Sequence, residues 1–180
     1  MGYAVSHTSR QPRAGETDGV EYHFVDRQTF RKMIDAGAFV EWAEVYGNLY
    51  GTSQESLERE ISRGLDLLLD IDTQGGGHIR QRFPQCVLVY IVPPSMEALE
   101  ARLTARGTDD PGVIQRRMDK AAGEIRDCMR YDFIVVNDEL EKAVSRVQAI
   151  ITSTRAKRGR MLPEVRSRFP GVFEDSKDRG

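Results

Sequence analysis

Three short, mainly apolar runs, LDLLLDI (65–71), CVLVYIV (86–92) and YDFIVV (131–136), stand out along the chain, with helical patterns between them. Runs of this length, rich in Leu, Ile and Val and bounded by polar or turn residues, predict parallel strands covered on both faces. Helices are expected around them. SMEALEARLTAR (95–106) follows Pro93-Pro94 and offers Ser95 as its N-cap; a second pattern fills about 111–130, and a third runs from 139 to about 158. Strand and helix in alternation predict an α/β fold.

Residues 10–52 have a different texture. Short extended pieces, EYHFV (21–25), FVEWAEVY (39–46) and NLYGT (48–52), alternate with turns around one helix that starts at Asp26 and stops at Gly37. This predicts a small mixed β subdomain inserted between core strands. Thr52 followed by Glu55 has the capping-box spacing, so a helix is expected directly after it. Beyond about 160 the chain is Arg-rich and interrupted by Pro163 and Pro170, and its last residues are expected to fray.

A chain of 180 residues suffices for one domain with a sizeable core. With 30% charged and 39% hydrophobic residues it reads as soluble and globular. A net charge of −2 implies no general attraction to nucleic acid or to anionic lipid. No apolar stretch approaches the ~20 residues that span a bilayer, and no basic-then-apolar leader opens the chain. The expectation is a cytoplasmic protein with neither nucleic-acid nor membrane partners. Cys86 and Cys128 are the only cysteines; both are expected reduced, and no zinc spacing exists. The basic residues comprise 21 Arg and five Lys. Most are surface choices, but a planar guanidinium fork also suits phosphate oxygens.

Four stretches carry candidate chemistry. In SHTSRQPRAGETDGVEYHF (6–24), Arg10 and Arg13 flank Pro12, and Gly15 and Gly19 bracket the next turn, so two forks can face one anion. In FVEWAEVYGNLYGT (39–52), Glu41 lies in an alternating strand and Thr52 ends the subdomain before a helix. A walled carboxylate needs donors. Guanine supplies two N–H groups on one edge and an acceptor for a hydroxyl; adenine presents the opposite pattern there. In LLLDIDTQGG (67–76), Asp70 and Asp72 sit at a strand's carboxyl end, where α/β proteins place ligands or magnesium, although one of them can instead cap the next helix. RLTARGTDDPGVIQRRM (102–118) gathers Arg102, Arg106, Arg116 and Arg117 around a glycine turn, the makings of a lid.

These blocks, together with YDFIVVND, follow one another as they do in the guanylate kinases, which the chain resembles from Ser6 to about Ala156. Those P-loop enzymes transfer a phosphoryl group from ATP to GMP. The resemblance implies a P-loop-kinase-like parallel sheet sandwiched by helices. It implies a domain at 1–158, with a GMP-binding subdomain at 10–52 and a helical lid at 100–125, followed by a tail at 159–180. It assigns Ser6, Arg10, Arg13, Tyr22 and Tyr50 to the GMP phosphate and Glu41 and Thr52 to the guanine. Asp72 matches an acidic position near base and metal, and counts with both substrate-binding and catalytic residues. Arg102, Arg106 and Arg117 match catalytic lid arginines that reach ATP phosphates, and Asn137 matches the adenine site. Mg²⁺ is implied with ATP, without an assigned ligand.

One departure is large. No G-x-x-x-x-G-K-[ST] occurs in these residues, and Gly75-Gly76-Gly77 runs into His78 and Ile79. That loop normally cradles the ATP phosphates. The first core strand, the loop and its helix are therefore expected to be missing, through truncation or through genuine loss. GMP binding with poor or absent catalysis is the expectation, and the alternative is a non-enzymatic module that binds phosphorylated peptides.

Overall fold

A computed structural model describes residues 1–105, 107 and 110–173, so the expectation placed on Arg106 lies outside the described residues. The chain divides into two units, Met1–Cys86 and Val87–Gly180.

The first unit runs β1 (Gly2–Tyr3), β2 (His7–Thr8), β3 (His23–Phe24), α1 (Arg27–Asp35), β4 (Phe39–Val45), β5 (Asn48–Ser53), α2 (Gln54–Ser62), β6 (Leu67–Leu68) and α3 (Thr73–Arg82). A four-stranded sheet has the order β3-β2-β5-β4, with β2 and β3 parallel and the other neighbours antiparallel; β1 and β6 form a separate parallel pair. The β4–β5 turn contains only Tyr46 and Gly47, both at positive φ (49° and 80°), the conformation that matches strand twist in a two-residue hairpin.

One irregularity in this sheet decides which way its side chains point. Phe39 pairs with Ser53 and Glu41 with Thr52, so Val40 is an extra residue that breaks the register. Ser53 and Thr52 are consecutive and therefore face opposite sides of the sheet. Their partners do likewise. In a regular strand Phe39 and Glu41 would share a face; the bulge separates them. Phe39 turns to the core, where it stacks on Phe30 at 4.5 Å between centroids and joins Leu49, with Val25, Met33 and Ile34 packed around them. Gly51 permits this packing, because a β-carbon there would meet Phe39, the Glu41 carbonyl and Trp42 at 3.0 Å each. Asp26 holds the entry to α1, its carboxylate accepting from the Thr29 N–H at 2.7 Å.

In the second unit, β7 (Val89–Val92) and β8 (Phe133–Val136) form a parallel pair, with α4 (Met96–Ala105), α5 (Pro111–Arg126), a 3₁₀ turn (Asp127–Arg130), α6 (Leu140–Arg155) and α7 (Arg158–Arg168). Ser95 caps α4 as expected, accepting from Ala98 N–H at 3.2 Å. Among the described residues no helix is long and apolar enough to cross a membrane. The Cys86 and Cys128 thiols are half-buried.

The structure corrects several expectations. The run 65–71 yields only the two residues of β6, because its partner β1 is itself two residues long. The run 86–92 pairs only from Val89; the Leu88 N–H is taken by the Asp132 carboxylate at 2.8 Å. Ile91, Ile134 and Val136 are exposed, so the β7–β8 pair is not covered on both faces: an apolar run signals burial only where an element packs over it. The mixed sheet reaches back to His7, three residues before the expected subdomain. The N-cap of α2 is Ser53, which accepts from Ser56 N–H, and not Thr52, whose hydroxyl is engaged elsewhere. Helix α7 (Arg158–Arg168), with Pro163 inside it, takes up the first part of the stretch 159–180 that was expected as a tail.

Phe30 is fully buried against Phe39. Replacing it with alanine should cost about 3–5 kcal/mol through lost burial and the cavity left behind. Urea unfolding followed by circular dichroism should show the midpoint fall accordingly.

Candidate functional site

The face of the mixed sheet opposite the Phe30 core carries the site. The β2–β5 and β4–β5 registers put Glu41 opposite Thr52, and one further residue of the same ladder puts Ser6 beside Thr52. Thr52 donates twice to Oε1 of Glu41, from its N–H at 2.9 Å and from its hydroxyl at 2.7 Å. Having given its only proton to Glu41, that hydroxyl accepts from the Ser6 hydroxyl, 3.1 Å away. All three side chains are buried, Glu41 to 5% exposure.

Burial pushes the Glu41 carboxyl above the usual carboxylate range; the Thr52 hydrogen bonds oppose this, the nearby Asp72 charge adds to it and His78 counters. Asp72 is the N-cap of α3: its Oδ1 accepts from the Gly75 N–H at 2.8 Å and its Oδ2 from the Gln74 amide at 3.3 Å. This is the capping role that the sequence left open for one of the two aspartates. Among the described residues no group of three or more His, Cys, Asp or Glu could hold a metal ion.

Beside Glu41 the same sheet face becomes cationic and aromatic. Thr8, fully buried, donates to the Leu49 carbonyl at 3.0 Å and accepts from the Arg10 N–H at 3.1 Å, which ties the start of the 9–16 loop to β5. The Arg10 guanidinium lies 5.6 Å from the Tyr22 ring centre and 5.8 Å from that of Phe24, and the Tyr22 and Tyr50 rings meet edge-to-face at 5.8 Å. Arg10 grips Glu16 with both prongs, at 2.9 and 2.8 Å, and Glu16 Oε2 also accepts from the Arg13 N–H at 2.7 Å. The Arg10 hydrogen bonds, then that of the Arg13 N–H, hold the Glu16 carboxyl below its ordinary range. Ser6, Arg10, Tyr22, Glu41, Tyr50 and Thr52 thus lie on one sheet face, and Arg13 joins through its backbone N–H to Glu16.

The remaining predicted residues lie in the second unit. Arg102 on α4 donates to the Asn137 carbonyl at 2.8 Å, which brings these two together at the end of β8; Arg117 is half-buried on α5.

The family profile described as guanylate kinase matches residues 1–154. The chain belongs to the guanylate kinase family. A guanylate kinase of Geobacter metallireducens is 47% identical over 169 residues, a match covering 94% of this chain and 83% of that protein. One from Neisseria gonorrhoeae is 48% identical over 159 residues, covering 88% and 78%. A crystal structure of guanylate kinase from Anaplasma phagocytophilum superposes with a TM-score of 0.79 at 36% identity, over 93% of this chain and 85% of that one. The α/β fold expected from the sequence is therefore that of the family, a family of nucleoside-monophosphate kinases. Nothing in these relatives favours the non-enzymatic binding-module alternative.

Two residues of the site were not read from the sequence. Glu16 is three residues beyond Arg13 in a loop, where no helical spacing rule advertises the pairing; its only local signal is the turn at Gly15. Gly75 was seen as one glycine of a run, without regard to what stands opposite it.

The raised Glu41 pKa has a definite consequence for stability. The folded chain holds this proton more tightly than the unfolded chain. Glu41 therefore favours folding below the ordinary carboxylate range, and that contribution is lost as pH rises through the raised folded value. Glu41→Gln, which keeps the acceptor for Thr52 without the charge, should raise the melting temperature at neutral pH. Thermal unfolding in progressively acidic buffer should show this advantage disappear.

Proposed function

We propose that the chain binds GMP on the first unit and serves phosphoryl transfer from Mg·ATP to it in cytoplasmic purine nucleotide metabolism, a reading supported by its membership of the guanylate kinase family. The observation that carries this reading is the buried Glu41. Its Oε1 is saturated by Thr52, while its Oε2 receives no hydrogen bond among the described residues. A free carboxylate oxygen in such a place suits the paired N–H donors of a guanine edge. The adjoining Arg10, Tyr22 and Tyr50 suit the phosphate of the same nucleotide.

In this assignment Glu41 and Thr52 read the base, and Asp72 supports it from the first turn of α3. Ser6, Arg10, Arg13, Tyr22 and Tyr50 hold the GMP phosphate. Arg10 must then share its fork between Glu16 and the incoming oxygens, or exchange one for the other. Arg102, Arg106 and Arg117 are assigned to the donor phosphates as lid arginines in the 100–125 region, and Asn137 to the adenine. With ATP bound, Mg²⁺ would supply charge neutralisation on its phosphates, and no residue of the chain is assigned to it. A GMP phosphate oxygen attacks the γ-phosphorus of ATP, the bond to the β-phosphate oxygen breaks, and GDP and ADP result. Protein side chains contribute position and electrostatics, with no covalent intermediate.

Calorimetry should show GMP binding more tightly than AMP. Glu41→Ala should erode that preference by on the order of 1.5–3 kcal/mol, the usual worth of a hydrogen bond to a charged group. Equal affinities in the parent chain would refute the base assignment.

On the donor side, these 180 residues contain no G-x-x-x-x-G-K-[ST] cradle. A polypeptide of these residues alone is therefore expected to bind GMP yet form little GDP, since misplacement of about 1 Å can cost ~10²-fold in rate. Supplying a family strand, loop and helix ahead of Gly2 should restore turnover in a coupled assay. Ordinary turnover without that addition would show that other residues build the donor site.

A further inference from the structure

Oε2 of Glu41 faces the first turn of α3. A β-carbon placed on Gly75 would stand 2.6 Å from Oε2 and 3.2 Å from Asp72 Oδ1. The first distance is far inside any ordinary carbon–oxygen contact. Oε2 cannot simply retreat, because the same carboxylate is fixed through Oε1 to both donors of Thr52 and is buried.

Helix chemistry offers no reason for glycine here. Gly75 is the third residue of α3, its N–H capped by Asp72. Alanine would ordinarily favour the helix at such a place. Gly77, two residues on in the same helix, has nothing within 4 Å of an added β-carbon.

We propose that Gly75 is a specificity-determining residue: its missing side chain keeps Oε2 of Glu41 open as the acceptor that distinguishes guanine from adenine. This rests on Glu41 being the base reader. A methyl group at position 75 would cover Oε2 or drive the carboxylate off Thr52, and either outcome removes the acceptor while leaving the Arg10 side of the site untouched.

The test is the ratio of GMP to AMP affinity, measured by calorimetry for the parent chain, Gly75→Ala, Gly77→Ala, Glu41→Ala and the double variant Glu41→Ala/Gly75→Ala. Gly77→Ala should keep the parent ratio. Gly75→Ala should lower it by about tenfold or more, as Glu41→Ala does. The double variant should fall no further than Glu41→Ala alone, since both changes remove one interaction. Partial unfolding lowers both apparent affinities by the same factor and leaves the ratio intact, so a destabilised variant remains informative. A parent-like ratio in Gly75→Ala alongside a lowered one in Glu41→Ala overturns the role of Gly75. A double variant well below Glu41→Ala overturns it too, because Gly75 would then act on something other than Glu41. An unchanged ratio in Glu41→Ala removes the base-reading assignment itself, and this inference with it.

Discussion

Thr52 holds one oxygen of Glu41 with two hydrogen bonds, and most of the first unit is arranged so that it can. The pair exists because β4 carries an extra residue at Val40, which turns Glu41 away from the face occupied by Phe39. It persists because that other face is pinned by the Phe30–Phe39 stack and Leu49. Ser6 completes the chain of hydroxyls from the neighbouring strand. Core and site are the two sides of one sheet, so packing that fixes the strand register on one side fixes hydrogen-bond geometry on the other. The arrangement carries a stability cost: burial lifts the Glu41 pKa, and Asp72 adds a second negative charge nearby. A buried carboxylate with one unsaturated oxygen is poor for folding and good for discriminating between ligands, the usual tension at a functional site.

The neighbouring cationic corner solves a similar problem differently. A guanidinium beside two aromatic rings would be free to choose among rotamers, but Glu16 takes both its prongs and the Arg13 N–H as well. Thr8 and Ser9 lash the start of the loop to β5 through Leu49. The arginine is thereby presented toward Tyr22 and Tyr50 by a loop that has little regular structure of its own.

Helices were legible wherever local chemistry sets their ends: Asp26 caps α1 and Ser95 caps α4 as their positions foretold. Strand extent was not legible, because a strand is as long as its partner allows; β6 is cut to Leu67–Leu68 by the two residues of β1. The capping box at Thr52 failed for a related reason. Its hydroxyl had a tertiary partner in Glu41, and Ser53 became the cap. The motif blocks placed Glu41, Thr52, Arg10 and the two tyrosines in one family pattern. Alternation alone, however, would have set Glu41 on the Phe39 side, and nothing in the local sequence marks Val40 as the bulge. Glu16 and Gly75 matter through contacts distant in sequence or opposite in space, which no spacing rule reports.

A crystal structure of the chain with GMP tests the base-reading geometry most directly. The expected result is the guanine edge lying between α3 and β4, its N1 and N2 within hydrogen-bond distance of Glu41 Oε2 while Thr52 still holds Oε1, and the phosphate against Arg10, Tyr22 and Tyr50. GMP seated elsewhere, or bound with its base turned away from Glu41, would contradict it.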